Sequence, residues 1–173
     1  ILKKMQDQYP DILYVIFQEF NTGTTRSRNR ALKRSTGKYI LILDSDAYMN
    51  SETLDKLIIY LEKNLKVGLV APGLVYPDGR FQMSVDVFPT LVRKLKRYFS
   101  LRSIEENAKK IMSGSVDYAI SACWMLRKNV VDKVGLLDEN IFYSPEDVDY
   151  CIRIWRAGYQ VHYFPDVSMV HDA

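Results

Sequence analysis

Two carboxylates, Asp44 and Asp46, follow directly on the run Gly37-Lys38-Tyr39-Ile40-Leu41-Ile42-Leu43. Side chains two apart on an extended chain point the same way, and like charges held that close repel unless a cation or a donor sits between them. A hard divalent ion, Mg²⁺ or Mn²⁺, shared with substrate phosphates is the natural partner for such a pair. The plainer reading is an acidic helix start in which one of the two merely caps. A second acidic group, Glu146-Asp147-Val148-Asp149, opens another helical pattern. The helix dipole favours acids there, but this cluster exceeds what capping requires, and an Asp in such a place can act as a general base. Asn21-Thr22-Gly23-Thr24 reads as a turn into a helix carrying Arg26, Arg28, Asn29 and Arg30. It is either an anion site at a helix start or a solvated basic face. His171 and His162 are the two histidines; a lone His is most often structural, and His162 is read that way.

The elements that must position these groups follow from apolar patterning. Tyr39–Leu43 is apolar throughout and reads as a strand buried on both faces, as in the middle of a parallel sheet. It delivers Asp44 and Asp46 to the carboxyl end of the strand, where open α/β sheets bind ligands. Upstream, the pattern predicts a helix from Ile1 to Gln8, a strand from Ile12 to Phe17, and a helix from about Thr24 to Ser35 ended by Gly37. Downstream it predicts a helix capped by Ser51, with Leu54, Leu57, Ile58 and Leu61 at helical spacing, then a strand from Val67 to Ala71 and a turn at Pro77-Asp78-Gly79. Val116–Leu126 is a strand or the extended wall of a pocket. Asn129–Val134 is a short helix stopped by Gly135, and Phe142–Pro145 is a loop. The helix from Glu146 ends near Gly158, with Asp149 placed to pair with Arg153 one turn on. Strands at Tyr159–Phe164 and Val167–Val170 lead to His171. Alternating strands and helices specify a layered α/β sheet.

The chain has 173 residues, 47% hydrophobic and 26% charged, which suits one domain, 1–173, with a sizeable core. Its net charge of +3 is too small to argue for nucleic acid. Cys123 and Cys151 have no metal-binding spacing and fit free thiols in a reducing compartment. No apolar run approaches the ~18 residues of a membrane span. The segment 89–110 is different: Leu91, Val92, Leu95 and Phe99 share a helical face among many Lys and Arg. It reads as a peripheral contact with an anionic membrane surface or as a helix packed on its own sheet.

The order Asn21-x-Gly23, Arg28-Asn29, Gly37-Lys38-Tyr39, Leu43-Asp44-Ser45-Asp46, Glu146-Asp147-Val148-Asp149, Arg153, Ala157-Gly158-Tyr159, Pro165 and His171 resembles the family 2 glycosyltransferases of GT-A fold. The likeness is to rhamnosyltransferase-like bacterial members that build surface polysaccharides, and it covers nearly the whole chain from Ile12 on. It implies a three-layer sandwich around a mixed, mostly parallel sheet. It also implies that the family's first strands and the edge of the nucleotide pocket are missing, so that this stretch alone would bind donors weakly or be inactive. By the resemblance, Asp44 contacts the nucleotide side of a nucleotide-diphosphate sugar, Asp46 holds the divalent metal with His171 as second ligand, and Arg28 and Asn29 lie near the nucleotide. Asp147 is the catalytic base. Ser121 stands where members often have glycine, which narrows the acceptor pocket.

The implied reaction is inverting transfer of a sugar to a hydroxyl of a glycan or lipid-linked acceptor, in the cytoplasm or on the inner face of the membrane. Asp46 and His171, far apart in sequence, should then lie close enough to share one ion. Two other readings stay open. A sugar nucleotidyltransferase would need a glycine-rich basic loop for a triphosphate, and none is visible. A non-catalytic membrane-associated module would have no need of acids at both Asp46 and Asp147.

Overall fold

A computed structural model describes residues 1–88 and 112–172. Helix α1 (Leu2–Gln8) is followed by an extended stretch and by α2 (Thr24–Arg34). Strands β1 (Tyr39–Leu43) and β2 (Ala47–Tyr48) precede α3 (Ser51–Lys63), then β3 (Val67–Val75), β4 (Phe81–Gln82) and β5 (Val85–Asp86). Beyond residue 111 come β6 (Gly114–Ser115), β7 (Tyr118–Ala119), β8 (Cys123–Arg127), α4 (Lys128–Val134), α5 (Glu146–Arg156) and β9 (Gln160–His171). The basic segment 89–110, read from the sequence as a membrane contact or a packed helix, lies outside the described residues.

The main sheet runs β1-β8-β3-β9-β2, with β4 beside β3 and β6 beside β9. Strand β8 is antiparallel to both β1 and β3, while β3 and β9 are parallel. The long strands β1, β3 and β9 therefore share one direction, and β8 runs against them from within. Helices cover both faces. On one, Leu32 of α2, Val130 and Val131 of α4, and Tyr150, Cys151 and Ile154 of α5 pack on Ile40, Ile42, Leu69 and Trp124. On the other, Leu57 and Leu61 of α3 pack on Val67, Val70 and Met125. This is the three-layer α/β arrangement expected from the alternating pattern. Trp124 is fully buried, lies nearly parallel to the ring of Tyr150 at 5.9 Å, and donates its indole N–H to Ala119 O. The turn at Pro77-Asp78-Gly79 joins β3 to β4, and Gly79 takes the positive φ of 82° that its tight return needs.

Several local expectations are corrected. Ile12–Phe17 is apolar but forms no strand, because no partner strand meets it among the described residues. Ile12, Tyr14 and Phe17 stay exposed; Arg34 lies over the ring of Tyr14 and Lys3 over that of Phe17. Among the described residues β1 pairs with β8 alone, at the edge of the sheet, and its burial alternates, Ile40 and Ile42 inward. A five-residue apolar run cannot distinguish a central strand from an edge strand whose second face is half covered by a helix. Asn50, not Ser51, caps α3, its side chain accepting from Thr53 N at 2.7 Å. Helix α2 stops at Arg34 with Ser35 as its cap, ahead of Gly37. The two final strands are one, β9, whose register against β3 shifts between Phe164 and Ser168.

Candidate active site

The carboxyl end of β1 opens into a cleft of ≈ 620 Å³ lined by Arg28, Asp44, Asp46, Ser121, Asp147 and His171, among others. Three parts of the fold build it. The loop after β1 carries Asp44 and Asp46; it is tied to the loop before β8 by Asp44 N donating to Ala122 O at 3.0 Å. The end of β9 carries His171, held opposite Ala47 by the β2–β9 pairing, with Asp172 N donating to Asp46 O at 2.9 Å. The first turn of α5 carries Glu146 and Asp147.

Asp44, Asp46 and His171 each offer a ligand atom, and these atoms lie within 4.8 Å of one another. His171 Nε2 is 3.6 Å from Asp46 Oδ1, well inside the reach of one shared ion. The other ring nitrogen, Nδ1, is hydrogen-bonded to Gln82 Oε1 at 2.9 Å. Two carboxylate oxygens and one imidazole nitrogen around an open space form a donor set that fits a divalent cation with positions left for substrate oxygens. The spacing of Asp44 and Asp46 already suggested a shared cation, and the resemblance added His171 to Asp46; the structure brings the ligand atoms of all three together.

Arg28 lines the cleft, but its guanidinium is already engaged. Nη2 donates to Asp44 Oδ1 at 2.5 Å, and Nη1 donates to Glu146 Oε1 at 3.1 Å and to Ser121 Oγ at 2.7 Å. Ser121 Oγ in turn donates to Glu146 Oε1 at 3.0 Å. Arg28 thus ties the loop after β1 to α5. Neither Glu146 nor Ser121 had a role here in the sequence reading beyond motif and pocket wall. The signal was faint: an acid preceding another acid, and a serine where a glycine is common. Asn29 does not line the cleft. One residue further round the helix it is 1% exposed, its amide donating to Leu137 O and Glu139 Oε1 and accepting from Leu137 N. Its side chain clamps the loop after α4. The other basic residues of α2 divide as the solvated reading has it: Arg26 is exposed beside Glu139, and Arg30 is exposed. The first amide of α2, Thr24 N, is taken by Phe142 O at 2.9 Å. That carbonyl comes so close to Gly23, which has φ 85°, that a Cβ there would lie 2.5 Å from it; only glycine fits.

Asp147 is half-buried, and burial raises its carboxyl above the ordinary range; the Val148 N–H bonded to Oδ1 at 2.8 Å opposes this and the Glu146 charge adds to it. Asp149 turns away to pair with Arg153 at 2.9 Å, as its spacing predicted. Burial, aided at Cys123 by the Asp44 charge, pushes both cysteine thiols up to about 12, so they are neutral and inert at physiological pH. His162 has a structural place, Nδ1 bonded to Tyr60 OH and Nε2 to Gln160 Oε1.

Among curated proteins the chain is similar to the dTDP-rhamnosyl transferase RfbF of Shigella flexneri, 26% identical over 96% of this chain and 55% of that one. The chain spans about half the length, or less, of the curated relatives it matches. Among solved structures it superposes on GalNAc-T7 with UDP, GalNAc and Mn²⁺, at a TM-score of 0.69 and 15% identity over 99% of this chain and 35% of that one. It also superposes on the mannosyltransferase PcManGT of Pyrobaculum calidifontis in complex with GDP-Man and Mn²⁺, at 0.64 and 18%, over 98% and 42%. At such identities these likenesses bear on the fold alone, which is GT-A. The family model for glycosyl transferase family 2 matches residues 1–135, a segment that includes Arg28, Asp44 and Asp46 and stops short of Asp147 and His171. By that match the chain belongs to glycosyl transferase family 2.

Proposed function

We propose that this chain forms the donor-binding and catalytic part of an inverting glycosyltransferase that moves a sugar from a nucleotide-diphosphate sugar to an acceptor hydroxyl. One observation carries the reading: the cluster of Asp44, Asp46 and His171 shares a single cleft with the half-buried carboxylate of Asp147. Asp46 and His171, joined by Asp44, would hold a divalent ion, and one imidazole in the donor set favours Mn²⁺ over Mg²⁺. Such an ion offsets the charge that develops on a departing diphosphate. Asp147 accepts the proton of the acceptor hydroxyl as the new bond forms. A single base acting on one side gives one displacement with inversion and no covalent intermediate. Arg28 keeps Asp44 and the Asp147 helix in fixed relation. RfbF is named a dTDP-rhamnosyl transferase, which supports a nucleotide-diphosphate sugar as donor; a glycan or lipid-linked acceptor in bacterial surface polysaccharide synthesis completes the proposal.

The test is nucleoside diphosphate release by the full-length protein across a panel of nucleotide sugars. Release is expected with Mn²⁺, lost with EDTA and restored by added Mn²⁺. Asp46→Asn should lower donor affinity and kcat together by more than about 10²-fold, because Lewis-acid stabilisation contributes several kcal/mol. No release from any donor with Mn²⁺ or Mg²⁺ overturns the reading.

From its basic amphipathic sequence pattern we also propose that 89–110 makes a peripheral contact with an anionic membrane surface on the cytoplasmic side. A peptide of this segment should bind vesicles containing anionic lipid, and binding should weaken as salt shortens the Debye length. Equal binding to neutral vesicles, or none to either, counts against it.

A further inference from the structure

We infer that Gln82 is a positioning residue that holds His171 in the tautomer whose free nitrogen, Nε2, faces the metal site; the inference rests on the metal site proposed above. Gln82 lies on the two-residue strand β4, is 8% exposed, and is set opposite Leu74 by the hairpin with β3. Its Oε1 is 2.9 Å from His171 Nδ1, a contact between residues far apart in sequence. An amide oxygen only accepts, so the proton of the neutral imidazole sits on Nδ1 and the lone pair is left on Nε2. Nε2 is the atom that faces Asp46 at 3.6 Å.

The alternative tautomer has a specific consequence. With the proton on Nε2, the ring would donate to the Asp46 carboxylate, and the two ligands would satisfy each other instead of an ion. The backbone does not decide between these states. Ala47 opposite His171 and the Asp172 N–H to Asp46 O fix where the ring is attached, not which nitrogen carries the proton. That choice falls to Gln82.

The experiment titrates Mn²⁺ into the metal-free full-length protein, following the electron paramagnetic resonance signal of free Mn²⁺, for the wild type, His171→Ala, Gln82→Met and Gln82→Glu. Partners that orient a metal-binding histidine are typically worth about 10–100-fold in affinity, and Gln82→Met is expected to lose that much. Gln82→Glu, whose carboxylate still accepts from Nδ1–H, should stay within a few-fold of wild type. Imidazole ¹⁵N resonances of the metal-free protein should report the Nδ1–H form in wild type and Gln82→Glu, and a shift towards Nε2–H in Gln82→Met. Chemical denaturation in EDTA separates a loss of fold from a loss of site. If wild type binds Mn²⁺ and His171→Ala does not, yet Gln82→Met binds normally, this inference alone is overturned. Equal losses in Gln82→Met and Gln82→Glu overturn it too, since hydrogen-bond acceptance would not be the cause. If wild type binds no Mn²⁺, it falls together with the metal site.

Discussion

Replacing Asp147 by asparagine is expected to cut kcat by about 10²–10⁴-fold, the usual contribution of a general base, while donor affinity stays nearly unchanged. Asn keeps the shape of the side chain and its place at the start of α5 but cannot take the proton, so the loss belongs to the chemical step. Asp149→Asn is the control: its carboxylate is committed to Arg153 at 2.9 Å, so turnover should hold. Near-normal turnover in Asp147→Asn with loss in Asp149→Asn would reassign the base. Retention in both would remove catalysis from this helix. The pH profile adds a second check. Burial raises the Asp147 carboxyl above the ordinary range, so activity should begin to fall on the acid side at a higher pH than an exposed aspartate would give. The same shift sets the sign for stability. The folded chain holds the Asp147 proton more tightly than the unfolded chain does, so this group's contribution falls as pH rises through the window between the two values. Asp147→Asn should therefore be the more stable protein at neutral pH and lose that advantage below the ordinary carboxylate range.

Arg28→Met is expected to destabilise the fold by about 3–5 kcal/mol, the cost of leaving one member of a buried ion pair without its partner. The side chains of Arg28 and Glu146 are only 14% and 5% exposed, so solvent cannot replace the lost charge. Asp44, 35% exposed at its side chain, can rehydrate and should matter less. The discriminating comparison is Arg28→Met/Glu146→Gln, which removes both charges and should recover a large part of the loss in a denaturant titration. If Arg28→Met unfolds at the wild-type denaturant concentration, the network does not hold α5 to the loop after β1.

These two expectations draw on different depths of legibility. The alternation of apolar runs with turn residues exposed the layered fold, and Asp46, His171 and Asp147 could be brought to one end of it by the resemblance. The pairing of Asp149 with Arg153 followed from helical spacing alone. Strand β8 shows where patterning stops: its five residues are all buried, and burial on both faces looks the same whichever way a strand runs. Ile12–Phe17 has strand composition, but a strand also needs a neighbour, which composition does not supply. Asn29 and Arg28 are adjacent in the motif, yet about 100° of helical turn separates their side chains, sending one to a loop and the other to the cleft. The roles of Glu146, Ser121 and Gln82 depend on contacts made across most of the chain, for which no local pattern exists.

Strand β8 also constrains how chain length can vary in natural variants. Its successive side chains serve different packing groups: Trp124 and Leu126 one face, Met125 the other, and Cys123 the cluster with Ala47 and Met169. Its register pairs Cys123 with Leu43, one step before the bond from Asp44 N to Ala122 O. A single inserted or deleted residue between Ala119 and Cys123 would either slip the strand and exchange its two faces or leave the slack at Ala122, where Asp44 is anchored. Gains and losses of residues should thus be rare there and common at the exposed turn around Asp78, which touches neither the core nor the cleft.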